Sequence, residues 1–351
     1  MPTDRVAPEA PGIPETAREV RLAAHLDGAA TAANFEIAEV PVVEPGPGEV
    51  LVRIDHVFVA AAYQDLMRPD CPLPVPPYRV GGRIGGGEVG TVVRSRSEDL
   101  AVGDLVQTMA GWGEYTTGPA ASFHKLDAGL FPSSSYYLSQ GPTAYYGMAT
   151  LAQAGEDDVV FVSGAAGGVG SLAGQIAKCR GAARVIGSAG SKEKVAYLVD
   201  ELGYDAAFDY HDGPVLDQLR ELAPDGINVF FDNVGGEQFE AAVQAAALHA
   251  RFALCGALSG QIGGGTGGHP RLDLMTAITR HLELRPYATY HTPEQIWAWT
   301  EHFAKWLAEG RFVFPQTVVE GGVEAAPGAL LDLLAGKHRG NLAVRFSSAA
   351  Q

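Results

Sequence analysis

The chain has 351 residues, 46% of them hydrophobic and 19% charged, enough apolar material for two soluble globular domains. With 25 basic against 41 acidic residues the net charge is −16, which disfavours sequence-independent binding to nucleic acid or to an anionic membrane surface. Any anion site must therefore be built locally.

The first stretch, "MPTDRVAPEAPGIPETARE", is Pro-rich and acidic and lacks the apolar segment of a signal peptide, so residues 1–18 are expected to form a flexible tail. From Val20 to about Phe131 the texture is β-rich: "EVLVRIDHVFV", "EVGTVVRSRS" and "DLVQTMAGWGEYT" are short apolar runs punctuated by Gly, Pro and Asp. From Val159 onward strands and helices alternate. The expected strands are "VVFVSGA", "ARVIGSA", "AAFDY", "INVFFDNV", "RFALCGA" and "LELRPYATY". Between them "GGVGSLAGQIAKCR", "SKEKVAYLVDELG", "PVLDQLRELA" and "EQFEAAVQAAALHA" carry apolar residues at helical spacing. Such alternation predicts a doubly wound parallel sheet. An amphipathic helix, "PEQIWAWTEHFAKWLAEG", leaves this unit, and the chain returns to a strand in "RGNLAVRF", whose natural partners lie in the N-terminal β region. The expected domains are therefore 19–132 with 315–351, and an inserted unit at 133–314. No apolar run approaches the roughly 18 residues of a membrane span. Cys71, Cys179 and Cys255 are far apart and form no CxxC pair, which suits a reducing cytosol, so a cytoplasmic location is expected.

The stretch "VVFVSGAAGGVGSLAGQIAK" carries the first chemistry. The dinucleotide pattern G/A-x-G-x-x-G falls on Ala165, Gly167 and Gly170, after a strand and before a helix. Gly167 lets the backbone approach a pyrophosphate, and Gly170 lets the helix pack on the strand. The helix N-terminus offers N–H groups and a positive dipole end. The turn Ala166, Gly167, Gly168, Val169 and Gly170 is accordingly assigned to a dinucleotide. The second strand runs into "IGSAGSKEK", which offers Ser188, Gly190, Ser191, Lys192 and Lys194, with no carboxylate before Glu193. Hydroxyls and lysines there suit a 2′-phosphate rather than a free ribose hydroxyl, so the expected cofactor is NADPH. No metal is expected: Cys71 is the only cysteine of the β region, and "VGGRIGGGEVG" has no histidine.

With these features the chain resembles the zinc-free medium-chain dehydrogenase/reductase superfamily, and within it the prostaglandin reductase and alkenal double-bond reductase branch. The carriers are "PGEVLVR", "AGWGEYT", "GPTAYYGM", "SGAAGGVGSLAGQIAK", "GSKEKVAYL", "LGYDAAFDY", "FFDNVGGE", "FALCGALS" and "RGNLAV", spread from about Val40 to Phe346. The resemblance implies a GroES-like β-rich catalytic domain with an inserted Rossmann domain. It also implies NADPH-dependent reduction of an activated C=C bond, with hydride going to the β-carbon of an enone or enal. It places Lys194 and Tyr210 on the 2′-phosphate with Ser191 near, and Asn233 and Asn341 on the cofactor. Cys255 and Gly256 fall beside the nicotinamide, and Thr143 to Tyr145 line the cleft, with Tyr145 toward substrate.

Two segments depart from that branch. Where a tyrosine often follows "CGxIS", this chain has "CGALSGQIGGG", which puts Gln261 forward as an N–H donor to an oxyanion. Instead of "DPYMR" it reads "AAAYQDLM", closer to the "NYRD" of quinone reductases and polyketide enoyl reductases, with Ala62 in place of Asn. On that likeness Tyr63 is the candidate proton donor and Asp65 its substrate-side neighbour, while ordinary packing of Tyr63 stays open. Quinone reduction by the same apparatus, and NADPH binding with non-standard or no turnover, also stay open. The atypical loops suggest a secondary-metabolite substrate. The partners expected are this small molecule and, from the likeness, a second copy joined through "LELRPYATY".

Overall fold

The structure is a computed structural model and describes residues 12–261, 269–288 and 291–346, with Gln261 described by its backbone alone. It begins with β1 (Thr16–Leu22), antiparallel to β2 (Phe35–Pro41). β1 takes in Thr16, Ala17 and Arg18, residues expected in the tail. Ala17 is buried and Arg18 pairs with Glu114 at 2.6 Å, so the contacts of a strand replace the freedom of a tail there.

The eleven residues of β3 (Glu49–Val59) are rich in β-branched side chains, and Val50, Val52 and Ile54 enter the core. Helix α1 (Tyr63–Leu66) follows, then β4 (Glu88–Ser95), β5 (Leu105–Thr108), β6 (Tyr115–Pro119) and β7 (His124–Lys125). Helix α2 (Gly141–Tyr145) runs into a wider helical turn, Tyr146–Leu151, and leads to the second unit.

There β8 (Val159–Val162), α3 (Gly170–Cys179), β9 (Arg184–Ala189), α4 (Lys192–Asp200), β10 (Ala206–Asp209), α5 (Val215–Leu222), β11 (Ile227–Asp232), α6 (Gly236–Gln244) and β12 (Ala246–Leu254) alternate. Helices α7 (Leu258–Gln261) and α8 (Leu274–Thr279) precede β13 (Glu283–Pro286) and α9 (Pro293–Ala308). A parallel sheet results, in the order β10-β9-β8-β11-β12-β13 among the described residues. Alternate residues serve opposite faces: Val160, Val162, Val229 and Phe231 join one apolar layer, and Phe161 and Phe230 the other. The helix expected to run to Ala250 stops at Gln244. Ala246 to Ala250 instead open β12: Ala246 pairs with Ile227, His249 takes a left-handed φ of +59° that no helix accommodates, and the ladder resumes at Arg251 opposite Val229.

The chain closes with β14 (Gln316–Val319), α10 (Ala325–Leu334) and β15 (Asn341–Arg345). β15 lies between β14 and β3, antiparallel to β3 with Val344 opposite Val57, in the sheet β14-β15-β3-β4-β5-β7. The Rossmann unit is thus inserted into the β-rich one. No helix among the described residues is long and apolar enough to cross a membrane.

Candidate functional site

Strand order reverses between β8 and β11, and in open α/β sheets ligands bind outside the carboxyl ends of strands at such a point. These ends are tied together. Asp232 accepts the Ser163 hydroxyl at 2.8 Å and the N–H groups of Val234 and Gly235 at 3.0 and 2.9 Å. The amide of Asn233 donates to the Ser163 carbonyl at 2.8 Å. Cys255 and Gly256 both donate N–H to the Asp232 carbonyl, at 2.9 and 3.0 Å. A Cβ at Gly256 would come within 2.9 Å of the Asn233 carbonyl, so this edge has no room for a side chain. Asn233, Cys255 and Gly256 thereby form one rim. Burial pushes the Cys255 thiol up to about 12, which keeps it neutral.

The glycine turn stands at the same crevice. Gly164 holds the left-handed φ of +57° that starts it. At Gly170 a Cβ would lie 2.5 Å from the Gly164 carbonyl and 2.7 Å from the Ala165 Cα, so glycine is needed for the helix to meet the strand. At Gly167 a Cβ would meet only the Gly164 carbonyl, at 3.4 Å. The turn is thus compact where α3 meets its strand and open at Gly167, a cradle that fits a pyrophosphate held by helix N–H groups. From the other sheet Gly340 donates to the Ala166 carbonyl at 2.9 Å. Asn341 donates to the Gly168 carbonyl at 3.3 Å and accepts the Gln140 N–H at 2.9 Å.

At the end of β9, Ser191 caps α4 by accepting the Lys194 N–H at 3.3 Å. The Tyr210 hydroxyl stands over Gly190, where a Cβ would be 2.8 Å from it. The Lys194 ammonium donates to the Gly336 carbonyl at 2.8 Å, leaving two further N–H donors. Ser191, Lys194 and Tyr210 therefore gather around one strand end. Beside them is a residue the sequence did not single out: the His211 ring is 4.2 Å from that of Tyr210, and its Nδ1 donates to Asp209 at 2.9 Å. The only sequence signal for it is its position directly after Tyr210.

Two expected site residues are placed elsewhere. Ser188 is fully buried, donating its hydroxyl to Gln238 and accepting the Gly164 N–H at 3.3 Å. It braces the turn and does not face a ligand. Tyr145 turns toward α9, with its hydroxyl 3.2 Å from His302 Nδ1 and its ring beside Trp299 and Trp306. Two residues of helix separate it from Thr143 by about 200°, so the two side chains leave α2 on opposite faces. Thr143 has its hydroxyl 2.9 Å from His291 Nε2, and its carbonyl accepts from Tyr287 at 3.0 Å.

On the β-rich side Tyr63 is 8% exposed, edge-on to Tyr78 and Trp112, and a Cβ at Gly86 would lie 2.8 Å from its hydroxyl. Burial holds the phenol well above its usual range, so it keeps its proton. Asp65 is buried on the same short helix. The Gln261 side chain lies outside the described residues. No group of three or more His, Cys, Asp or Glu among the described residues is placed to hold a metal.

Residues 18–126 match the family described as the N-terminal domain of oxidoreductase, and residues 168–306 the family described as zinc-binding dehydrogenase. The 2-alkenal reductase (NADP(+)-dependent) of Nicotiana tabacum is 32% identical over 343 residues, covering 94% of this chain and 97% of that protein. Prostaglandin reductase 1 of Mus musculus is 31% identical over 339 residues, covering 94% and 99%. Among solved structures, CurA from Vibrio vulnificus in complex with NADPH superposes with a TM-score of 0.84 at 28% identity, over 94% of this chain and 99% of that one.

Proposed function

The chain belongs to the medium-chain dehydrogenase/reductase superfamily, in its prostaglandin reductase and alkenal double-bond reductase branch, and on that premise we propose that it is an NADPH-dependent ene-reductase. Its substrate is an α,β-unsaturated carbonyl compound, and the product keeps the carbonyl while losing the C=C bond. The observation that carries the reading is the pairing of an open glycine cradle with Ser191, Lys194 and Tyr210 at the neighbouring strand end.

When bound, NADPH supplies the hydride for the β-carbon. The chain's own groups hold and orient. The N-terminus of α3 and the turn N–H groups would hold the pyrophosphate, and Ser191, Lys194 and Tyr210 would hold the 2′-phosphate. Asn341 fixes the turn to the β-rich sheet, and Asn233, Cys255 and Gly256 would form the floor beside the nicotinamide. Tyr63, kept protonated by burial, is placed to donate a hydrogen bond to the enolate oxygen. The reading is zinc-free, because Gly87 precedes Glu88 where zinc-dependent relatives carry histidine.

We place a second copy of the chain against β13. Among the described residues it is an edge strand, and Leu274, Met275 and Ile278 of the preceding α8 are 64–66% exposed, an apolar surface suited to cover. Steady-state oxidation of NADPH against a panel of enals, enones and quinones, with product analysis, tests the assignment. Saturated carbonyl products are expected. Hydroquinones as the only products, or NADPH bound without turnover on any of them, would replace it.

A further inference from the structure

We propose that His211 is a further specificity-determining residue of the nucleotide site, taking up one proton as a 2′-phosphate binds and bridging that phosphate to Asp209 as an imidazolium. The inference rests on the placing of the 2′-phosphate at Ser191, Lys194 and Tyr210.

Strand β10 ends in Asp209, a buried residue whose carboxylate accepts the His211 backbone N–H at 3.0 Å and its Nδ1–H at 2.9 Å. That double hold fixes Nδ1 as the donor and leaves Nε2 turned outward. In the neutral ring Nε2 carries a lone pair, which repels a phosphate oxygen. Only the protonated ring donates at both ends. The ring leans on Tyr210, whose hydroxyl stands over Gly190 beside the Ser191 cap, and the His211 side chain is 63% exposed, so a ligand reaches it. The charged groups around it are Asp209 and Asp212 on its own turn. Lys192, Glu193 and Lys194 open α4, the helix packed against β10. The uptake is balanced simply: one proton passes from solvent to Nε2, and no other bond changes. NADH, which lacks the phosphate, drives no uptake.

Calorimetric titration of the full chain at about pH 8, in two buffers of different ionisation enthalpy, reads the protons directly. The ligands are 2′,5′-ADP and 5′-AMP. A phosphate monoester is already dianionic there, its second pKa being about 6, so net uptake reports on the protein. The expected result is net proton uptake with 2′,5′-ADP and almost none with 5′-AMP. The variant His211→Gln should lose the uptake and bind 2′,5′-ADP about fivefold more weakly at pH near 6.5. Tighter binding of 2′,5′-ADP than of 5′-AMP without proton uptake, or uptake that survives in the variant, overturns the role of His211 alone. Equal binding of the two nucleotides overturns the placing of the 2′-phosphate itself.

Discussion

The side-chain amide of Asn341 donates to the carbonyl of Gly168, so the last strand of one sheet grips the glycine turn of the other. The same side chain accepts the Gln140 N–H while only 1% exposed. Replacement by alanine empties a buried site and removes both bonds, and Asn341→Ala should lose about 1–3 kcal/mol of stability. NADPH should bind more weakly as well. Denaturant unfolding and cofactor titration check both, and a variant as stable as wild type would mean that the turn does not need this grip.

The two ends of the glycine turn should separate in one experiment. Gly170→Ala forces a Cβ against backbone and should cost about 1–3 kcal/mol in unfolding. Gly167→Ala meets only one atom at ordinary distance, so its melting temperature should stay near wild type while NADPH affinity falls. Equal melting losses would show that Gly167 serves packing, not a ligand.

Lys194→Ala should raise KM for NADPH about 10- to 100-fold, the worth of one charge-assisted contact, and change KM for NADH little. Parallel losses with both coenzymes would remove Lys194 from the 2′-phosphate. They would leave it only its bond to Gly336.

For Tyr63→Phe the expected outcome is a drop in kcat of about 100-fold with KM for NADPH within about twofold of wild type. The pH dependence has a definite sign. Burial raises this phenol above its usual range, so the protonated, donating form persists through pH 10. The kcat profile should therefore show no basic limb from Tyr63 below that pH. An unchanged kcat in the variant would assign Tyr63 to packing with Trp112 and Tyr78.

Cys255 should resist alkylation, because its neutral thiol, pushed up to about 12, offers little thiolate at pH 8. Peptide mapping after iodoacetamide treatment of the folded protein should find Cys255 unmodified at that pH, and rapid labelling there would contradict the neutral thiol.

Most of the architecture was legible because strand and helix periods differ, and because a glycine turn between them has one common use. The exceptions were Thr16 to Arg18, which pair with β2, and Ala246 to Ala250, where composition favours helix but Ala246 pairs with Ile227 and the chain bends at His249. Side-chain direction was less legible. Ser188 and Tyr145 sit in the right segments, yet one faces inward to Gln238 and the other toward α9. A motif fixes position along the chain but not the face presented. His211 escaped notice for a related reason: its significance depends on Asp209 holding one nitrogen, a relation no spacing encodes.

Strand β15 fills the gap between β14 and β3, so the sheet that opens with β3 is completed only by residues 341–345. During synthesis the inserted unit emerges whole from the ribosome while the β-rich unit still waits for an interior strand. Until residues 341–345 arrive, Phe58 and Val59 of β3 expose an unpaired edge. Nascent chains halted before that point should therefore be the ones that chaperones retain.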